Sequence, residues 1–505
     1  GFALTAGHPE AGNIGGGGFM VVRTARTVKA FDFRERAPLA APPTMYLDST
    51  GNIDRRLTAR GYLAPGVPGT VRGLELAHKK YGRLPWRAVV MPAAQLAADG
   101  FVLTDDLARG LSREVSRSMA PFAASVATYG KPGGGEWYHG DTLRLPDLAR
   151  SLVAIADGGA DAFYKGWIAD SIASDMARNG GLITKRDLEV YSAVERNPVR
   201  GTFRGYSVYS VPPPSSGGTA VVEVLNILEA LNVGASDRWS PRTLHLTVEA
   251  MRRAFLDRAR YLGDPDFVKV PVARLTSKNY AVQLAREIDT LRAGNSEALA
   301  PELMQVADGE SDETTHISVV DRDGMAVALT YTLEGGYGSH VVVPGAGFLL
   351  NNEMGDFNKK PGHTSLTGDI GTAPNVIAAG KRMLSSMSPT IVTKDGDLFL
   401  VTGSPGGRTI INTVLGVVLN VLQFDMGVRA AVDAPRLDHE WLPDVVSLEE
   451  NAIPPVTAER LQQMGHTVRQ RGTQGDAHTI MFDARTRTFL GANDFRSRDS
   501  RVSVP

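Results

Sequence analysis

Glycine most narrows what this chain can fold into: it supplies 54 of 505 residues, in clusters rather than evenly. That is about a tenth of the chain, against an average near 7%. The clusters are Gly12 with Gly15 to Gly18, Gly133 to Gly135, Gly217-Gly218, Gly335-Gly336 and Gly406-Gly407. Lying between apolar segments, they mark backbone that turns tightly or comes close to something else. Helical patterns start just after such breaks, at Thr70 to Ala77, Thr219 to Leu231 and Ile410 to Leu422. Strand-like runs lie between them at Gly18 to Val22, Val208 to Val211 and Leu398 to Val401. Helices and strands joined by short glycine junctions predict a layered α/β architecture. No period of 20 to 50 residues repeats, which argues against solenoids and propellers.

Composition removes several function classes. Lys and Arg number 54 against 55 Asp and Glu, a net charge of −1, so the basic excess that nucleic acid or an anionic membrane surface requires is missing. Cysteine is absent, which excludes disulfides, thiolate metal sites and a cysteine nucleophile. No apolar run is long enough for a membrane span. The 10 histidines show no metal-ligand spacing, so neither metal nor cofactor is indicated. Gly15 to Gly18 lacks both the Lys-Ser/Thr of a phosphate loop and the spacing of a dinucleotide fingerprint, leaving close backbone packing near a site as its reading. The chain starts at Gly1 without a leader and reads as the interior of a longer product, any targeting signal already gone.

From Leu299 to Glu313 the sequence is acidic and aperiodic, the signature of an exposed linker. Two β-type runs follow, Thr314 to Asp321 and Met325 to Thr332, joined through Arg322-Asp323-Gly324. Pairing large with large sets Ile317 opposite Leu329 and Val319 opposite Val327, with a three-residue loop ending in glycine. Thr314 then faces Thr332; a one-residue slip to an Asp-Gly turn would instead pair Thr315 with Thr332. Neighbouring threonines are ordinary in a sheet. They also suit a chain cut before Thr314, whose freed α-amine takes the proton from its own hydroxyl and so makes an acyl-transfer nucleophile without cysteine. Composition does not decide between these two readings.

Longer motifs accompany the Thr314-Thr315-His316 segment. They run from His8 to Met20, Phe31 to Pro38, Pro212 to Gly218, Tyr261 to Asp266, Leu349 to Phe357, Leu384 to Thr390 and Gly403 to Gly407. With these, essentially the whole chain resembles the gamma-glutamyltransferase (gamma-glutamyl transpeptidase) family of N-terminal-nucleophile hydrolases. The resemblance implies an αββα sandwich built from one self-cleaving precursor, a zymogen, whose two subunits stay together as a heterodimer. Here these are residues 1–313 and a catalytic small subunit 314–505. It further implies no cofactor, γ-glutamyl donors such as glutathione, acceptors that are water, amino acids or peptides, and a periplasmic or secreted location.

Roles follow by matching position. Thr314 corresponds to the nucleophile, Thr332 to the hydroxyl that hydrogen-bonds it, and Gly406 and Gly407 to the oxyanion donors at the opening of a helix. Arg34 corresponds to the clamp on the substrate carboxylate, Ser385 and Ser386 to helping donors, and Glu334, Glu353 and Asp356 to the surroundings of the ammonium. Without the resemblance, Arg34 would read as a surface ion pair and Glu353 and Asp356 as solvated loop acids. His316 reads as a structural histidine. Three features depart from the family pattern: a further stretch normally precedes the point equivalent to Gly1; position 334 is Glu where many members have Asn, a second carboxylate that can raise a neighbour's pKa; and the loop Asn358 to Pro374, with Thr367, takes the place of a lid. Related acylases for cephalosporin, glutaryl or polyglutamate substrates, and an unprocessed binding protein, are the alternatives.

Overall fold

A computed structural model describes residues 1–235, 237–303, 314–497 and 500–503; most of the acidic stretch, 304–313, lies outside the described residues. Two antiparallel sheets dominate. The first runs, in spatial order, Val194–Arg196, Val28–Phe33, Gly17–Arg23, Ala326–Thr332 and Thr315–Val320. The second runs Thr488–Ala492, Thr479–Asp483, Asp397–Thr402, Thr390–Lys394, Tyr206–Ser210 and Val199–Phe203. The strand alternation decides which face meets what. Phe19, Val21, Ala326 and Ala328 of the first sheet share one buried core with Ile391 and Val401 of the second. Their neighbours Met20, Val22, Leu329 and Tyr331 face the other way, onto Leu74 and Ala77 of the helix Thr70–Tyr81. Helices Gly217–Ala230, Pro241–Tyr261 and Thr409–Leu422 close the far side of the second sheet. The result is helix, sheet, sheet, helix, the αββα order expected. Among the described residues no helix is long and apolar enough to cross a membrane.

Both sheets mix strands from before and after residue 313. In the first, Gly17–Arg23 pairs along its length with Ala326–Thr332, from Gly17 opposite Thr332 to Arg23 opposite Ala326. In the second, Tyr206–Ser210 pairs with Thr390–Lys394. An apolar groove of about 380 Å³, lined by Phe2, Leu74, Tyr81 and Trp86, opens beside Gly1.

The hairpin carrying Thr314 adopts the three-residue loop. Ile317 faces Leu329 and Val319 faces Val327. The N–H of Asp321 donates to Met325 O at 2.9 Å, and that of Gly324, with φ +77°, donates to Asp321 O at 3.0 Å. Only glycine takes that φ without strain, which fixes the register. Thr315 faces Tyr331, so one step further Thr314 comes level with Thr332.

Away from these strands, His245 Nδ1 lies 2.8 Å from His466 Nε2, next to Glu249, which is ion-paired with Arg252 and Arg253. Burial, and then the neighbouring His245, hold His466 down at about 4. Between pH 6.5, the usual histidine value, and 4 the unfolded chain binds a proton that the folded chain refuses, so stability falls as pH drops through that window. Thermal unfolding at pH 7.5 and pH 5 is expected to differ by about 2 kcal/mol from this residue alone. His466→Gln should narrow the gap.

Candidate active site

The site is assembled around the end of the strand Ala326–Thr332. Asn13 pins it: Nδ2 donates to Thr332 O at 2.9 Å, while Oδ1 accepts the Gly16 N–H at 3.0 Å and the Thr70 hydroxyl at 2.7 Å. Gly16 lies so close that a Cβ there would stand 2.0 Å from Thr332 O. The glycine run therefore does serve close packing beside the site. Gly16→Ala is expected to displace Thr332, costing about 1–3 kcal/mol of stability and at least tenfold in activity; unfolding and initial-rate measurements check both. The Thr332 hydroxyl accepts the Glu334 N–H at 2.8 Å, and Glu334 is held at φ +79°, unusual for a residue with a side chain.

Thr314 and Thr332 line one cavity of about 30 Å³ together with Arg34, Glu334, Glu353, Asp356, Ser385, Ser386 and Gly407. Nine of the ten site residues expected from the sequence thus meet in one place. Gly406 does not line the cavity but adjoins Gly407; their φ values of +126° and +53° both favour glycine. The helix behind them starts at Thr409, so the pair precedes the first turn instead of opening it.

Arg34 is neither on the surface nor solvated, being fully buried, as is Glu353. Its Nη1 lies 2.6 Å from Glu353 Oε2 and 3.5 Å from Glu35 Oε2, its Nη2 is paired with Asp356, and its Nε donates to Met383 O at 3.3 Å. Burial pushes the Glu353 carboxyl well above the usual range; Arg34 opposes this, and Glu35, Asp356 and Glu334 add to it. The carboxylate at 334 therefore acts on its neighbour as its charge predicts. Glu35 is pushed up to about 8, again by burial against Arg34.

The segment Pro212 to Gly218 positions the serines. Pro214 O accepts the Ser385 N–H at 2.9 Å, and Ser385 O accepts the Ser216 N–H at 2.8 Å. Arg258, on the helix Pro241–Tyr261, donates to Ser216 Oγ at 3.0 Å and to Ser386 Oγ at 3.2 Å. It lines the cavity along with Met387, Arg408 and Ile410; of these four only Met387 falls within a motif, and none was expected as a site residue. Arg408 pairs with Glu440 at 2.6 Å and donates to Gly368 O at 3.0 Å. That second bond ties the loop Asn358 to Pro374 to the cavity wall, while Thr367 in the same loop is exposed and lies 3.0 Å from Ser365 Oγ. His316 is buried between Thr330 Oγ1 at 2.7 Å and Ser318 Oγ at 3.0 Å, a structural role as expected.

Four layers, with a threonine at the head of a strand beside its partner threonine, define the N-terminal-nucleophile hydrolase class. The sequence profile of the Gamma-glutamyltranspeptidase family matches residues 1–504. The glutathione hydrolase proenzyme of Escherichia coli (strain K12) is 47% identical over 500 residues, covering 99% of this chain and 85% of that protein. Among solved structures, the Helicobacter pylori gamma-glutamyltranspeptidase chain is 41% identical with TM-score 0.58, covering 61% of this chain and 89% of its own. A cephalosporin acylase from Bacillus halodurans is 26% identical with TM-score 0.82, covering 98% and 88%. The chain belongs to the gamma-glutamyltranspeptidase family.

Proposed function

We propose that the protein is a γ-glutamyl hydrolase and transferase, acting on glutathione and other γ-glutamyl amides, with Thr314 as nucleophile. The observation that carries this reading is the single cavity holding Thr314, Thr332, Arg34 and the carboxylates of Glu334, Glu353 and Asp356. In maturation the Thr314 hydroxyl attacks the carbonyl of the preceding peptide bond, and water releases the ester, freeing the Thr314 α-amine. The large and small subunits, 1–313 and 314–505, remain paired through their shared sheets. In turnover the α-amine takes the hydroxyl proton, Oγ attacks the γ-carbonyl, and the amine leaves with that proton. The hydrogen bond from Thr332 orients Oγ, and the backbone N–H groups of Gly406 and Gly407 meet the oxyanion.

Binding is an exchange of partners. The cavity, at about 30 Å³, has room for roughly two water-sized groups. A glutamyl carboxylate therefore displaces Glu353 or Asp356 from Arg34, and the substrate ammonium takes up the carboxylate so released. One buried ion pair becomes two, which keeps every charge partnered. Ser385 and Ser386 complete the carboxylate's hydrogen bonds. An exported location, periplasmic or secreted, belongs to this reading, and cell fractionation checks it.

Hydrolysis of γ-glutamyl-p-nitroanilide by the purified protein, with N-terminal sequencing, tests the proposal. A chain starting Thr-Thr-His-Ile-Ser and release of nitroaniline are expected; an uncut, inactive protein would overturn it. The likeness to a cephalosporin acylase keeps a glutaryl substrate as the second reading. An acid cluster around Arg34 suits a head group bearing an ammonium, so glutaryl-p-nitroanilide should be the poorer substrate by at least tenfold.

A further inference from the structure

The two halves of the reaction centre stand on different sheets. Thr314 heads the strand Thr315–Val320, the last strand of the first sheet, which has a ladder on one side only. Gly406 and Gly407 follow the strand Asp397–Thr402 of the second. At the open edge of the nucleophile's strand, His478 Nδ1 donates to His316 O at 2.6 Å, and Ser318 Oγ donates to His478 O at 2.8 Å. The same short segment holds the glycine loop: the His478 N–H donates to Gly403 O at 3.1 Å and the Asp476 N–H to Ser404 Oγ at 2.9 Å. A Cβ at Gly403 would stand 2.1 Å from the His316 ring, and one at Gly406 would stand 3.2 Å from Gly475 Cα, so the contacts are close on both sides. The far nitrogen of His478 is anchored as well. Nε2 lies 2.9 Å from Ser500 Oγ and 3.2 Å from Asp476 Oδ2, and Ser500 Oγ donates to that same Oδ2 at 2.7 Å. Burial opposes a charge on His478, but the Asp476 carboxylate and the His316 carbonyl outweigh it and raise its pKa above the usual histidine value. The ring thus spans the gap between the sheets with both nitrogens held.

We propose that His478 is a positioning residue for acyl transfer: its bond to His316 O fixes the strand that carries Thr314 against the loop that carries the oxyanion glycines, with Asp476 orienting the ring. The inference rests on the Thr314 nucleophile reading above. A carbonyl oxygen can only accept, so Nδ1 keeps its proton and the bond survives whether the ring is charged or neutral. Thr314 and Gly407 line one cavity and His478 lies outside its wall, so the histidine acts through the elements it joins. Its effect falls on the transition state. The oxyanion donors must meet an oxygen on the carbon that Thr314 Oγ attacks, and a misplacement of about 1 Å in that spacing costs up to roughly 100-fold in rate. Substrate binding through Arg34, Ser385 and Ser386 does not pass through this segment.

Initial rates on γ-glutamyl-p-nitroanilide, counted per cleaved chain, and thermal unfolding test this in His478→Leu, His478→Asn and Asp476→Ala. His478→Leu fills the space but donates nothing; kcat should fall roughly 10- to 100-fold, with KM within about twofold of wild type. His478→Asn offers an Nδ2–H in place of Nδ1–H and should recover to within about threefold of wild type. Packing alone would rank the two the other way, since leucine fills the site better than asparagine. Asp476→Ala keeps the backbone bond to Ser404 but frees the ring, and should lower kcat about fivefold; it carries the test where His478→Leu stays uncut. Wild-type kcat in His478→Leu, a loss confined to KM, an Asn variant no better than the Leu variant, or, where the Leu variant stays uncut, unchanged kcat in Asp476→Ala would each overturn the proposal. A wild-type protein that neither splits nor hydrolyses the donor overturns the Thr314 reading itself, whereas a wild type that does both leaves the variants to decide the positioning role alone.

Discussion

Thr314→Ala is expected to stay a single chain of 505 residues and to lose at least roughly 10⁴-fold in γ-glutamyl hydrolysis. Both effects have one cause. The hydroxyl that would cut the chain is the hydroxyl that would attack substrate, and the hairpin offers no substitute: Thr315 faces Tyr331, so its side chain points to the opposite side of the sheet from Thr314. Denaturing electrophoresis and anilide turnover check the two separately. A variant that split normally but was inactive would mean that another group performs the cut, and the nucleophile assignment would be confined to turnover.

The second large effect concerns Arg34. Taken from the motif alone, Arg34 touches substrate only, and its loss would raise KM and nothing else. In the structure it also holds Glu35, Glu353 and Asp356 together. Arg34→Ala should therefore raise KM about 100-fold and destabilise the fold by about 3–5 kcal/mol, because it leaves buried carboxyls without their cation. Protonation relieves part of the cost, so the variant's stability deficit should be largest above about pH 8, where Glu35 of the wild type is ionised, and shrink as pH falls through that value. Arg34→Lys separates the two roles: it keeps the charge, and most of the stability, but lacks the planar fork, so KM stays high. Thermal unfolding and steady-state kinetics on both variants give the comparison. Equal stability of wild type and Arg34→Ala would show that the carboxyl cluster does not depend on the guanidinium.

Much of this was legible in the sequence because it rests on short-range rules. Glycine and proline breaks located the helices Thr70–Tyr81, Gly217–Ala230 and Thr409–Leu422 to within a few residues. Side-chain size and one glycine set the hairpin register, and with it the pairing of Thr314 with Thr332. Arg258 and Arg408 were not legible. Arg258 sits on a 21-residue helix rich in arginine, where a cation reads as a solvated face; only the approach of the Ser385-Ser386 turn, 128 residues away, makes it part of the site. Arg408 follows the two glycines directly, but its partner Glu440 comes just after the strand Leu437–Asp438, and no local pattern announces that meeting. The burial of Arg34 was hidden for the same reason: its compensating acids at 353 and 356 come from the other half of the chain.

The mixing of strands from both halves in both sheets has a consequence for timing. Asn13 reaches Thr332, the partner of Thr314, only when strands from residues 17–23 and 326–332 have zipped together. Scission must then come after folding, as its certificate: a molecule that has been cut is one that has already reached the native topology. The proportion of cleaved chains in a cell extract would serve as an internal gauge of folding yield, readable on a gel without any activity assay. The two pieces, interlocked like dovetailed boards, should not be reconstituted by mixing separately made halves.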